Sequence, residues 1–193
     1  MTADDWRRTL RTDPVMADLI DTHGDLTLTP ADDEFRRLVV SIINQQLSTA
    51  SARAIRERVF DLLGAVTPAT VLAADRDALR DAGLSDTKVD YLRNAARAFR
   101  ERNLTREGLA DHSDEAVVDE LTTITGIGQW SAEMYLIFVL GRADVLPLGD
   151  LAIRRGLTDL YGCDSRAAMR EVADAWRPYR SYGTLYVWEY YEN

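Results

Sequence analysis

Cysteine is almost missing from this chain. Cys163 is the one thiol in 193 residues, which excludes an internal disulfide, a cysteine-built zinc site and a four-cysteine iron–sulfur cluster. Following Gly162, it is expected to act as a small apolar filler. Lysine is as scarce: Lys88 stands alone and arginine supplies every other basic residue. The two histidines, His23 and His112, share no spacing that suits a metal, so both are expected at the surface. No apolar run is long enough to span a bilayer. The opening "TADDWRRTLRTD" also lacks the basic-then-apolar design of a secretion signal, so a cytoplasmic protein with no membrane partner is expected. Positive charge is in short supply too. The formal net charge is −9, the wrong sign for an affinity for polyanions built on lysine and arginine. Acidic residues crowd stretches such as "TPADDE" and "DHSDEAVVDE". An acid-rich, lysine-poor surface suits a cytoplasm of high salt, where net charge bears on solubility and not on fold. The location of the arginines therefore says more than the total.

What is present is helical pattern. "ADDEFRRLVVSIINQQ" sets Phe35, Leu38, Val39, Ile42 and Ile43 at helical spacing after Pro30 and an acidic start. "STASARAIRERVFDLLG" sets Ile55, Val59, Leu62 and Leu63 on one face, with Gly64 as a stop. "TPATVLAADRDALRDAG" divides into two short helices, the second running from near Asp75 to Gly83. "SDTKVDYLRNAARAFRER" opens on a Ser85 or Asp86 cap and turns Val89, Leu92, Ala96 and Phe99 inward. "SDEAVVDELTTI" is another capped helix, and the nearly all-apolar "QWSAEMYLIFVLG" should lie centrally. "DLAIRRGLTDLYG" and "DSRAAMREVADAWRP" are amphipathic, and "RSYGTLYVWEYYEN" closes the chain. With no sustained two-residue alternation and no internal repeat, the fold class is all-α.

Four places carry candidate chemistry. Where "SDEAVVDELTTI" meets "QWSAEMYLIFVLG", "TGIGQW" puts Gly126 and Gly128 around Ile127 and a tryptophan, Trp130, just past them. The glycines leave amide N–H groups uncovered at a helix N-terminus, where those donors and the helix dipole suit a phosphate oxygen. A plain corner between two helices is the duller alternative. In "VLPLGDLAIRRG", Asp150 follows a Pro147–Gly149 turn, where it can be a helix N-cap or a carboxylate held for chemistry. Trp130 and Trp188 read by periodicity as core aromatics. "NQQLS" interrupts two apolar helices with amides, either to cap the helix starting near Ser48 or Thr49 or to probe a duplex.

The phrase L-x-x-I-x-G-I-G-x-W resembles a helix-hairpin-helix motif, and its pairing with "LPLGDLAIRR" resembles the helix-hairpin-helix, Gly/Pro-Asp superfamily of DNA glycosylases. Within that family the chain is most similar to the 3-methyladenine (alkylbase) type, through "SIINQQLSTASA", "GLSDTKVDYLRNAA" and "AWRPYRSYGTLYVW" as well. The resemblance runs from about residue 10 to residue 190. It implies a two-lobed helical glycosylase fold with a DNA cleft between the lobes. One lobe would span residues 34–142, with the hairpin at about 116–138, and the other residues 1–33 plus 143–193. It also implies a monomer acting on double-stranded DNA containing alkylated purines. Asp150 would be the catalytic aspartate; Trp130, Trp188 and Met134 would line the base pocket. Gly126, Ile127 and Gly128 would bind the DNA backbone, and Gln46 with Leu47 would be the wedge. Arg180 and Ser181 match a stretch near the pocket. No cofactor is required, but the main-chain carbonyls of Thr122, Ile124 and Ile127 would hold Na+ or K+.

Some positions depart from the family pattern. Thr125 replaces the usual proline before G-I-G, and Met134 stands where the bacterial enzyme has an aromatic residue. The bacterial enzyme's additional N-terminal domain has no counterpart here, so a catalytic core alone is expected. Strand-nicking relatives place a Schiff-base lysine two residues after the second hairpin glycine. Trp130 occupies that position, which implies a monofunctional glycosylase, and Lys88 is expected to be a solvated helix lysine. A non-catalytic DNA-binding module, which has no use for Asp150, and a glycosylase for oxidised or mismatched bases are the rival functions.

Overall fold

The computed structural model describes residues 3–192, and every regular element among them is a helix. The chain forms two compact units, Ala31–Tyr135 and Met1–Pro30 with Leu136–Asn193.

The first unit begins with α3 (Glu34–Asn44) and α4 (Thr49–Leu63). These are followed by α5 (Pro68–Ala73), α6 (Arg76–Asp81), α7 (Asp86–Glu101) and α8 (Asp114–Thr122). Serine and aspartate caps start most of them. Asp33 accepts from the Arg36 N–H, Ser48 from Ser51, Asp75 from Asp77 and Ala78, Ser85 from Lys88 and Ser113 from Ala116. Each satisfies amide donors that the first turn leaves unpaired. Phe35, Leu38, Val39, Ile42 and Ile43 all face the core from α3, as their spacing requires. Val89, Leu92 and Ala96 do so from α7, while Phe99 sits edge-on between Phe35 and Tyr135. Leu62 departs from expectation. It is 45% exposed, and the buried stripe of α4 is instead Ala52 and Val59, because Leu62 lies nearly a quarter turn off their line.

The second unit contains α1 (Ala3–Leu10) and α2 (Pro14–His23), which the apolar periodicity did not reveal. Asp13 followed by Pro14 is the overlooked start signal. The unit also holds α10 (Leu151–Tyr161), α11 (Arg166–Asp174) and α12 (Arg180–Glu192). Their core packs Leu10, Met16, Ile153, Leu157, Trp176, Tyr186 and Val187 together. Asp13 is buried within it but well paired. Its Oδ1 accepts from the Val15 and Met16 N–H groups, and its Oδ2 accepts from the Tyr161 hydroxyl at 2.7 Å and the Trp176 indole at 2.9 Å. A buried carboxylate persists only with such satisfaction. Cys163 is buried, as expected of a filler, and His112 is exposed while His23 is half-buried. The chain passes between the units inside α9 (Gln129–Phe138), seven residues before the expected lobe boundary at 142. Residues 131–137 of α9 are buried throughout. No helix among the described residues is long and apolar enough to cross a membrane.

Candidate active site

The hairpin between α8 and α9 is built as its residues suggest. Ile124 and Ile127 are 4% and 3% exposed, and the Ile127 N–H donates to the Ile124 carbonyl at 2.9 Å. The two glycines serve different ends. Gly126 has φ +107, and a Cβ there would lie 2.2 Å from the Tyr91 ring, so the protein itself demands glycine. At Gly128 the backbone is ordinary and a Cβ would meet no atom within 4 Å. No neighbour within the chain requires a bare backbone at this exposed corner, where α9 begins and Ala132 donates to the Gly128 carbonyl. An approaching ligand would require it. Thr125, in the place of proline, accepts a hydrogen bond at its carbonyl from the Asn94 side chain at 3.2 Å.

Trp130 is half-buried on the first turn of α9, and Met134, one turn on, is 3% exposed. Thr122 ends α8, where carbonyls carry the negative end of the helix dipole. Of the three carbonyls expected to hold a cation, that of Ile124 already accepts the Ile127 amide.

The "NQQLS" segment forms the turn from α3 to α4. Ser48 caps α4, so the capping alternative holds for that residue. Gln46 and Leu47 remain exposed, and Gln46 is the one described residue other than glycine with positive φ, at +56°. Gln45, next to it, donates from Nε2 to the Gly126 carbonyl and to the Ser131 hydroxyl, each at 2.9 Å. Lys88 is not a solvated helix lysine. Its Nζ donates to the carbonyls of Ile43 at 2.6 Å and Gln45 at 2.8 Å, and burial lowers its pKa from the ordinary lysine value. The end of α3 leaves those carbonyls without helical partners, and the lysine reaches them from α7.

In the other unit Asp150 is the N-cap of α10, and both of its readings share one oxygen. Oδ1 accepts from the Ile153 N–H at 3.1 Å and from the Trp188 indole N–H at 3.3 Å. Trp188 in turn stacks on Phe138, ring centroids 5.6 Å apart. The structure thus brings the predicted carboxylate and one predicted indole together. Arg154 braces the turn, donating from Nη1 to the carbonyls of Leu148 and Gly149 at 2.9 Å. Arg180 and Ser181 brace a neighbouring segment. Arg180 forms an ion pair with Asp144 at 2.7 Å, and the buried Ser181 hydroxyl donates to the Arg142 carbonyl and accepts from the Val145 N–H.

Sequence reasoning missed Gln45, Tyr91, Asn94 and Arg154. Lys88, Tyr91 and Asn94 recur at three-residue steps on α7, a polar line beside the apolar one. That spacing was the available signal.

The sequence profile of the HhH-GPD superfamily, described as base excision DNA repair proteins, matches residues 39–180. The DNA-3-methyladenine glycosidase of Bacillus halodurans is 35% identical and superposes with a TM-score of 0.82 over 97% of this chain and 89% of its own. The 3-methyladenine DNA glycosylase Mag1 of Schizosaccharomyces pombe, solved in complex with abasic DNA, is 27% identical. It superposes with a TM-score of 0.86 over 97% of this chain and 96% of its own. YfjP of Bacillus subtilis is 28% identical across 88% of this chain, which spans 63% of YfjP's length. With a bare-backbone hairpin, an aspartate-capped helix behind a Gly turn and a profile match across most of its length, the chain belongs to the HhH-GPD superfamily of base excision DNA repair proteins.

Proposed function

We propose that this protein is a monofunctional DNA glycosylase that hydrolyses the N-glycosidic bond of alkylated purines in double-stranded DNA. The observation that carries the proposal is the Asp150 carboxylate capping α10 with the Trp188 indole hydrogen-bonded to it, in a chain similar to 3-methyladenine glycosylases.

The chemistry follows from the charge of the leaving group. A purine alkylated at N3 or N7 is cationic, so when the bond to C1′ breaks its electron pair neutralises the ring and the base departs without a strong general acid. Positive charge then develops on the sugar, as in other glycoside cleavages. The Asp150 carboxylate stabilises that charge and orients the attacking water. Water oxygen bonds to C1′, its proton passes to the carboxylate or to solvent, and an abasic site remains. The indole of Trp188, beside the carboxylate, attracts a cationic base in preference to its neutral parent by about 0.5–2 kcal/mol. Trp130 is assigned the same role by family pattern, and Met134 contributes an apolar contact. Gly126 and Gly128 present main-chain N–H groups to a phosphate, whereas Ile127, whose N–H is engaged by the Ile124 carbonyl, anchors the corner from inside; such donors let an acidic protein hold DNA without side-chain charge. A Na+ or K+ held by the Thr122, Ile124 and Ile127 carbonyls would add positive charge at that corner. Gln46 and Leu47 fill the gap left by the extruded nucleotide.

Base release from methylated, 8-oxoguanine-containing and uracil-containing duplexes tests the proposal. Release of 3-methyladenine or 7-methylguanine alone is expected. Release confined to 8-oxoguanine or uracil, or binding without release, would refute it.

A further inference from the structure

The first turn of a helix is a poor place for a cation, because the dipole there is positive. Lys88 nevertheless sits in the first turn of α7, three residues after the Ser85 cap, and it is the chain's single lysine. The local conflict is offset from outside the helix. Its ammonium lies against the C-terminal end of α3, at 2.6 Å from the Ile43 carbonyl and 2.8 Å from that of Gln45. A compact ammonium with three rotatable donors can serve both carbonyls at once.

The carbonyls it holds lie immediately before the most strained point of the turn. Gln46 has φ +56°, a region unfavourable for a residue with a side chain, which persists only where the surroundings enforce it. Lys88 fixes the main chain before it, and the Gln45 amide ties the same segment to Gly126 and Ser131 of the hairpin. The next residues on the α7 line extend that connection. Tyr91 lies under Gly126, and Asn94 donates to the Thr125 carbonyl. One face of α7 therefore holds both the turn that exposes Gln46 and Leu47 and the corner that exposes Gly128.

We propose that Lys88 is a positioning residue that sets the exposed Gln46–Leu47 turn for insertion into the duplex, in register with the phosphate-binding hairpin. The proposal rests on the glycosylase reading above. It assigns to Lys88 no contact with the reacting atoms.

The test measures single-turnover base release by the full chain. The substrates are a duplex with one alkylated purine opposite its normal partner and the same duplex with the lesion opposite an abasic site, where no pair must be broken. Lys88→Met is expected to slow release from the paired lesion about tenfold while duplex affinity stays within about twofold. Opposite the abasic site the penalty should shrink to less than about threefold, since extrusion then needs little help. Combining Lys88→Met with Gln46→Ala should slow the reaction no more than the slower single change, the non-additivity expected of residues acting as one unit. Equal penalties on the two substrates, or additive effects, would overturn the proposal and leave Lys88 a structural cap. Should Lys88→Met melt below the assay temperature, Lys88→Gln, which keeps two N–H donors on a neutral amide, carries the same comparison. Wild-type protein that releases no alkylated base refutes the glycosylase reading itself, whereas active wild type with an unaffected Lys88→Met refutes this inference alone.

Discussion

Replacing Asp150 by asparagine separates the two tasks that one carboxylate performs. The side chain caps α10 through Oδ1, which accepts from Ile153 and Trp188. The amide oxygen of asparagine can accept both bonds, and asparagine caps helices as well as aspartate does, so stability should change by no more than about 0.5 kcal/mol. For a domain of this size that is a shift of about 1–2 °C in Tm. What disappears is the charge. A carboxylate about 4 Å from a developing oxocarbenium, at an effective dielectric near 20, contributes about 4 kcal/mol. At about 1.4 kcal/mol per decade this corresponds to roughly a thousandfold in rate. The assay is single-turnover release of methylpurine from a methylated duplex, followed by chromatography of the free base, beside anisotropy binding to a duplex with a stable abasic analogue. Binding should stay within about threefold of wild type, because the hairpin is untouched. Asp150→Ala provides the control, losing the same charge and in addition about 1 kcal/mol of capping. If Asp150→Asn keeps more than about a tenth of the wild-type rate, Asp150 is only a helix cap and the catalytic assignment is wrong.

The hairpin glycines should respond in opposite ways. Gly126→Ala meets the Tyr91 ring and an unfavourable φ, so a loss of about 2–4 kcal/mol is expected in denaturant unfolding. Gly128→Ala meets nothing and should hold or slightly raise stability, yet weaken DNA binding in anisotropy. Equal destabilisation by the two changes would contradict the distinction. Borohydride added to protein on damaged DNA should trap no covalent adduct, because Trp130 stands at the lysine position of strand-nicking relatives; an adduct would overturn the monofunctional reading. The acid-rich composition, with net charge −9, should make Tm rise from low to multimolar KCl as self-repulsion is screened. A Tm independent of salt counts against a high-salt host.

Local signals determined much of this protein. Helix starts were legible because a serine or aspartate cap acts on donors two or three residues away, as at Ser85, Ser113 and Asp150, and core faces such as Phe35–Ile43 follow from a period set by the helix itself. The spacing of Gly126, Gly128 and Asp150 marked the family for the same reason, since each residue type answers to backbone geometry at its own position. Contacts across long sequence separations were decided only by tertiary structure. Nothing near Lys88 in sequence shows that its ammonium ends on the carbonyls of Ile43 and Gln45, and nothing near Asp150 announces the indole of Trp188, 38 residues on. Periodicity records which face of an element is buried. It does not record which partner's unpaired carbonyls or carboxylate that face will meet, because this depends on how separate helices pack in space.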